Sequence, residues 1–250
     1  MDATKAMILA AGIGSRLKPL TDEKPKALIP IGGIPLLEIV IERLKSFGIK
    51  AIIINVHHHA QQIIDFVKKK HSFGLHIEFS VEDKLLDTGG GLKKARWFFD
   101  DVDTFLLHNV DILTDLNYQL LFNRIRETHA LSVLAVRQRK TSRYLLFDAQ
   151  MRLVGWQNIK KGELKVVRKV FPAFTPFAFS GIHALRHKIL EYMPERDAFS
   201  MIDLYLELVY KSLPVVGLRT DHSRWLDVGK PEALSRAENE FKDFIIYRTR

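Results

Sequence analysis

The sequence predicts an α/β fold: a three-layer sandwich in which helices cover both faces of a mixed, mostly parallel central sheet. Three observations predict it. Strand-like and helix-like segments alternate as βαβαβ through the first eighty or so positions, the order that builds a parallel sheet. The early strands are predominantly apolar runs, as strands buried on both faces must be, with Ala51 to Val56, interrupted by Asn55 alone, the clearest case. Glycine-rich turns follow strand ends, where sheets of this class gather their ligands. A length of 250 residues with 47% hydrophobic content suits a single domain over residues 1–250 with an ample core.

Taken in order, Ala6 to Ala10 is an apolar run of buried-strand length, and Gly12 and Gly14 follow at once. Apolar Leu37, Val40, Leu44 and Phe47 form a helical stripe that Gly48 closes. Lys50 to Val56 reads as a strand. Gln61 to Lys70, with Ile64 and Val67 opposite a cationic face, reads as a helix, and Leu75 to Val81 alternates as a strand should. His57, His58 and His59 follow the second strand, but adjacent residues of an extended chain point alternately and cannot all reach one ion. They are expected to line a pocket or to cap the next helix.

Thr88 is placed to cap a helix opening on Gly89, Gly90 and Gly91. Thr104 to Asp111 reads as a strand ending in a carboxylate, Asn117 to His129 as a helix and Leu131 to Val136 as a strand. From residue 143 to about 170, short alternating segments such as Tyr144 to Asp148 and Arg152 to Trp156 predict a small antiparallel insertion. Phe177 to His183 is a further strand. Ser200 and Asp203 have capping-box spacing for a helix over Leu204 to Lys211, which accounts for Asp203 without chemistry. Pro231 to Ile246 carries Leu234, Ala237, Phe241 and Phe244 on one face, with proline suitably at its start.

The glycine loop is the most informative stretch. Gly12 and Gly14 lack a Cβ, so the backbone there can approach a ligand closely or take positive φ, and such turns gather N–H groups into an anion-binding concavity. Arg16 and Lys26 add the positive charge that a polyphosphate requires. The dinucleotide fingerprint wants a third glycine where Leu17 stands, and no Gly-Lys-Ser/Thr triplet of a Walker loop follows. On the glycines alone, a plain strand-to-helix turn with two surface cations serves as well as a phosphate cradle.

The formal charge of +9 raises the possibility of nucleic-acid binding. The cations are spread, however, in runs such as Lys68 to Lys70 and Lys93 to Lys94 that read as solvated helix faces. No interleaving of aromatic and basic residues marks a binding strip, so neither nucleic acid nor membrane is an expected partner. With no cysteine, disulfide scaffolds and thiolate metal sites are excluded, which fits a reducing cytoplasm. No apolar run reaches membrane-spanning length.

Leu9 to Lys26 resembles the signature loop of the sugar-1-phosphate nucleotidyltransferases, matching Leu-Ala-Ala-Gly-x-Gly-x-Arg-Leu-x-Pro-Leu-Thr through to Lys-Pro-Lys without a gap. Leu86-x-Thr88-Gly89-Gly90-Gly91, Phe179-Ser180-Gly181-Ile182 and Trp225-x-Asp227-Val228-Gly229 are similar to further motifs of that family. The first of these is closest to N-acetylmuramate 1-phosphate uridylyltransferases. The resemblance implies a Rossmann-like fold that transfers a nucleotidyl group, UTP and N-acetylmuramate 1-phosphate being the expected substrates. It implies Arg16 and Lys26 as catalytic cations, and nucleotide contacts from Ala10, Ala11, Gly12, Gly14, Ser15, Arg16, Ser80, Thr88 and Gly89. It further implies sugar-phosphate contacts from Lys26, Asn109 and Gly181, and a Mg2+ cofactor held by Asp111 and Asp227.

The chain departs from the family pattern in three places. Ser80 stands near a base-reading glutamine, and Val110 replaces the glycine before the metal-binding aspartate. The family's sugar-side Glu-Lys pair has only Glu163 and Lys165 as a substitute. Many members append a β-helix domain, and none is expected here. Mannose-1-phosphate guanylyltransferases share much of the pattern and stand as the alternative. A catalytically silent nucleotide sensor on the same fold is the reading of a different class, against which the joint retention of Arg16, Lys26, Asp111 and Asp227 argues. Oligomeric state is left open.

Overall fold

The computed structural model describes residues 4–168 and 173–242. Along the chain run β1 (Lys5–Leu9), β2 (Pro30–Ile31), β3 (Ile34–Pro35), α1 (Leu36–Ser46), β4 (Ala51–Val56), α2 (Ala60–Lys69), β5 (His76–Val81), α3 (Asp87–Ala95) and β6 (Thr104–Asn109). There follow β7 (Ile112–Thr114), α4 (Gln119–Thr128), β8 (Ser132–Arg137), β9 (Arg143–Phe147), β10 (Leu153–Asn158), β11 (Glu163–Val166), β12 (Thr175–Arg186), α5 (Met201–Tyr210), β13 (Val215–Arg219), β14 (Trp225–Asp227) and α6 (Pro231–Glu240). This is the α/β class that the sequence predicts, a mixed sheet with helices.

The described residues fall into two compact units. The first comprises Thr4–Leu85, His108–Asp115 and the chain from Arg224 on. Its β1, β4 and β5 are parallel, with Ile8 opposite Ile54 and Ile54 opposite Phe79. Every residue of β4 is buried, which is why that strand is apolar at both parities. Short antiparallel pairs β2–β3 and β7–β14 join an apolar cluster with α1 and α6. Ile31, Leu36, Leu113, Leu226, Val228 and Phe241 meet there, and burying each is worth roughly 1.5–3 kcal/mol. That cluster brings a strand from the far end of the sequence beside the amino-terminal segment.

The second unit comprises Leu86–Leu107 and Leu116–Ser223. Here β8 lies between β12, antiparallel, and β13, parallel. Strands β9, β10 and β11 continue antiparallel from β12, in the stretch that the sequence reads as short alternating strands. Residues 169–170 of that stretch lie outside the described residues.

Two expectations change. Thr88 does not cap α3: the helix begins at Asp87 with Leu86 as its N-cap, so Thr88 already lies inside the first turn and its hydroxyl serves elsewhere. The closing helix α6 ends at Glu240, with Leu234, Ala237 and Phe241 packed as expected, whereas Phe244 and residues 243–246 lie outside the described residues. The Ser200 box is as expected, the hydroxyl accepting from the Asp203 N–H at 3.1 Å.

Candidate active site

The glycine loop leaves the carboxyl end of β1 and is anchored from below. The Ala10 N–H donates to Asn55 Oδ1 at 2.8 Å, and Asn55 Nδ2 donates to Glu82 Oε1 at 2.7 Å. Both side chains are buried. Sequence reasoning passed over this pair, whose one signal was a lone asparagine in an otherwise apolar strand. Beyond it, no loop hydrogen bond among the described residues takes up the amides of Ala11 through Arg16.

The two loop glycines have different roles. Gly14 has φ +69°, accepts at its carbonyl from the Leu17 N–H and the Thr21 hydroxyl, and packs so that a Cβ would lie 3.0 Å from both Lys26 Cβ and Thr21 Cγ2. It shapes the turn. Around Gly12 no atom comes within 4 Å of where a Cβ would be, and Gly12 and Ser15 are exposed. That face is open to a ligand.

Lys26 opens a short 3-10 turn, Lys26–Leu28, and is buried. Its Nζ pairs with Oδ2 of Asp111. Asp111 follows β6, held in place because the Val110 N–H donates to the Leu9 carbonyl at 3.1 Å. The Val110 side chain is buried, so the residue that replaces the family glycine turns its methyl groups into the interior. Asp227 ends β14 opposite Ile112, and the Val228 N–H donates to the Asp111 carbonyl at 2.9 Å. Leu226 and Val228 enter the apolar cluster, so strand alternation turns Asp227 the other way. Its Oδ1 accepts from the Gly229 N–H at 2.8 Å.

Gly229 measures how closely these groups meet. A methyl group there would lie 2.7 Å from Asp227 Oδ1, 2.8 Å from Arg16 Nη2 and 3.1 Å from Lys26 Nζ. Arg16 and Lys26 from the glycine loop, Asp111 from the end of one strand and Asp227 from a distant motif thus converge in one unit. Beside them His108 is buried, which lowers its pKa to about 4, and its Nδ1–H donates to the Asn109 carbonyl at 2.9 Å. It is neutral at pH 7 and fixes the turn leading to Asp111.

No group of three or more His, Cys, Asp or Glu able to hold a metal occurs among the described residues. Two carboxylates, the remainder of the shell coming from phosphate oxygens and water, are nevertheless the donor set that suits Mg2+. Asp111 and Asp227 fit that requirement. The histidine run takes no part in such a site. His57 Nδ1 lies 2.7 Å from the Glu82 carbonyl, and His59 occupies the N-cap position of α2 in a left-handed conformation.

The remaining expected contacts divide between the units. In the first, Ser80 sits opposite Asn55 and is buried, with no partner for its hydroxyl among the described residues. Asn109 is half-buried at the end of β6. In the second, the Gly89 and Gly90 amides donate to the Phe199 carbonyl at 2.9 and 3.2 Å. A Cβ on Gly89 would lie 2.3 Å from Phe199 Cε2, and one on Gly90 2.0 Å from the Asp197 carbonyl. Packing against residues 197–199 alone therefore accounts for these glycines. The Thr88 hydroxyl accepts from the Met201 N–H at 2.9 Å, capping α5 instead of its own helix. Gly181 lies on β12 with φ +77°. Lys165 Nζ sits 5.5 Å above the Trp156 ring, and Glu163 is exposed.

A glycine turn with open amides at the end of a parallel strand thus lies with two cations and two convergent carboxylates in one unit of an α/β protein. The chain belongs to the nucleotidyl transferase family, whose sequence profile matches residues 5–243. Over 239 residues it is 31% identical to a UTP–glucose-1-phosphate uridylyltransferase of Synechocystis, covering 90% of this chain and 60% of that protein. Over 119 residues it is 40% identical to an N-acetylmuramate alpha-1-phosphate uridylyltransferase of Neisseria meningitidis, covering 47% of this chain and 51% of that one. The chain thus spans roughly half to three-fifths of the length of these curated relatives. The crystal structure of HddC from Yersinia pseudotuberculosis complexed with GMP-PN superposes with a TM-score of 0.76 at 25% identity, covering 95% of this chain and 99% of that one. No helix among the described residues is long and apolar enough to cross a membrane.

Proposed function

We propose that this chain joins a nucleoside triphosphate to a sugar 1-phosphate, releasing pyrophosphate and a nucleoside-diphosphate sugar, with Mg2+ as cofactor. Residues 1–250 act as one catalytic domain in the cytoplasm. The observation that carries the reading is the convergence of Arg16, Lys26 and Asp227 on Gly229, with Asp111 paired to Lys26. Cations beside paired carboxylates and an open-amide turn are what a reaction between two phosphate anions requires.

The open amides from Ala11 to Arg16 hold the triphosphate, and the Arg16 guanidinium neutralises its oxygens. Lys26 exchanges Asp111 for a phosphate oxygen as the ligands enter. A sugar-phosphate oxygen attacks the α-phosphorus, forming one P–O bond. The bond from that phosphorus to the bridging oxygen breaks, and its electron pair leaves with pyrophosphate. The nucleophile is already an anion, so no side chain has to remove a proton; the chain's task is alignment and charge neutralisation. Asp111 and Asp227 would hold a divalent cation, which would supply further positive charge at the phosphate oxygens. The unpartnered Ser80 hydroxyl is available to the base, and Asn109 and Gly181 serve the sugar phosphate.

UTP is the favoured nucleotide because both relatives described above carry uridylyltransferase names. N-acetylmuramate 1-phosphate is the favoured sugar because the Leu86-x-Thr88-Gly89-Gly90-Gly91 segment resembles those enzymes and the Neisseria protein is 40% identical over the 47% of this chain that it matches. The GMP-PN complex of HddC supports a guanylyl alternative, in the manner of the mannose-1-phosphate enzymes. Pyrophosphate release is to be measured over four nucleoside triphosphates against N-acetylmuramate, glucose and mannose 1-phosphates, with and without Mg2+. Turnover that is metal-dependent and greatest with UTP and the muramate substrate supports the full reading. Turnover greatest with GTP and mannose 1-phosphate favours the alternative, and no turnover with any pair overturns the transferase assignment.

A further inference from the structure

On β12 the pairing with β8 runs Phe179 opposite Val136 and then His183 opposite Leu134. Ser180, Gly181 and Ile182 therefore face Ala135 alone, a bulge centred on the positive φ of Gly181. The bulge is clamped across its base, because the rings of Phe179 and His183 meet edge to face with centroids 5.0 Å apart. His183 Nδ1 is in turn hydrogen-bonded to the Tyr205 hydroxyl on α5.

Both side chains are buried, and burial raises the Tyr205 phenol well above its ordinary pKa, so it stays neutral. The Ser132 side chain lies beside the Tyr205 hydroxyl, and its own hydroxyl donates to the Ala184 carbonyl at 3.3 Å. One proton assignment gives each of these groups a partner. His183 Nδ1–H donates to Tyr205, Tyr205 O–H donates to Ser132, and Ser132 donates to the backbone of the residue after His183. The relay closes on the strand at the point where it leaves the bulge.

The same helix reaches the glycine segment of α3. Its first residue, Met201, is capped by Thr88, and the preceding Phe199 carbonyl takes the Gly89 and Gly90 amides. Tyr205 lies about 6 Å further along the axis. Helix α5 thus bonds to the Thr88–Gly90 segment at one end and to the base of the Gly181 bulge one turn on. A buried polar relay is a weak source of stability, since an apolar pair of similar volume often does as well; what it adds is a unique arrangement.

We propose that His183 and Tyr205 are positioning residues that fix the Ser180–Gly181–Ile182 bulge for the sugar 1-phosphate. The inference rests on the transferase reading above.

It is tested in the full chain by steady-state pyrophosphate release, using the substrate pair that turns over fastest. Tyr205→Phe removes one oxygen and His183→Phe removes the relay, whereas His183→Asn keeps a donor near the place of Nδ1. Tyr205→Phe and His183→Phe are expected to raise KM for the sugar 1-phosphate about tenfold, with KM for the nucleotide changed less than twofold. His183→Asn should recover most of the loss. The thermal shift produced by the nucleoside triphosphate alone should match that of the unaltered protein. A sugar KM unchanged in Tyr205→Phe, an equal rise in both KM values, or no difference between His183→Phe and His183→Asn overturns the inference while leaving the transferase reading intact. An unaltered chain that turns over no pair removes both.

Discussion

Lys26 and Asp111, 85 positions apart, form an ion pair largely withdrawn from water, with side-chain exposures of 10% and 18%. Each neutralises the other while no phosphate is present. Removing one partner leaves a poorly solvated charge, so Lys26→Met and Asp111→Asn are each expected to lose about 1–3 kcal/mol in denaturant unfolding. The double variant Lys26→Met/Asp111→Asn should regain most of that stability. Its turnover should nevertheless stay down by about a hundredfold or more, because the charges that act on phosphate are gone. Recovery of activity together with stability would make the pair merely structural.

Gly229 and Gly90 separate function from folding in a second way. The atoms nearest a methyl group at Gly229 are the tips of Asp227, Arg16 and Lys26, which can move aside. Gly229→Ala should therefore melt within a few degrees of the unaltered protein while losing at least about tenfold in kcat/KM, as displaced charged groups lose alignment. A methyl group at Gly90 meets the Asp197 carbonyl, which is backbone and cannot yield cheaply. Gly90→Ala should cost about 1–3 kcal/mol or more of stability, read by chemical denaturation.

How much of this was legible in the sequence depends on how local the cause is. Buried strands such as β4 declare themselves by their predominantly apolar runs, and the Ser200 box by its spacing, because each is fixed by neighbours along the chain. Arg16, Lys26, Asp111 and Asp227 were legible as motif letters, while their meeting was not, since it depends on Leu226 and Val228 finding Leu113 and Phe241 in three dimensions. Gly89 and Gly90 illustrate the converse. Their backbone freedom reads as ligand access, yet the space beside them is taken by residues 197–199, more than a hundred positions away. Asn55 and Glu82 went unremarked because a buried amide–carboxylate pair follows no spacing rule.

Asp227 carries a distinct expectation. Its Oδ1 already accepts the Gly229 N–H, a task that asparagine can perform equally well. Asp227→Asn should therefore preserve the fold and remove chiefly the negative charge. The Mg2+ concentration for half-maximal turnover is expected to rise about tenfold or more, with the melting temperature in metal-free buffer nearly unchanged. Titrating activity against Mg2+ at saturating substrates reads this directly, and an unchanged metal requirement would remove Asp227 from the metal site.

His108 gives the pH dependence of stability its sign. Burial lowers its pKa to about 4, against the bond to the Asn109 carbonyl and the charge of Asp111, which favour the proton, and with Arg43, which opposes it. In the unfolded chain the imidazole titrates near its ordinary value of 6.5. Between those two values the unfolded state binds more protons than the folded one, so stability falls as the solution is acidified. The contribution is complete above pH 6.5 and falls by up to about 1.4 kcal/mol per pH unit below it. The accumulated loss reaches about 3 kcal/mol near pH 4. His108→Gln keeps a donor for the Asn109 carbonyl without a group that titrates in this range. Its unfolding free energy should decline less steeply than that of the unaltered protein between pH 7 and 4.5, measured by urea titration at half-unit intervals. Parallel curves would mean that His108 is protonated in the folded state, and that acid sensitivity arises from the carboxylates.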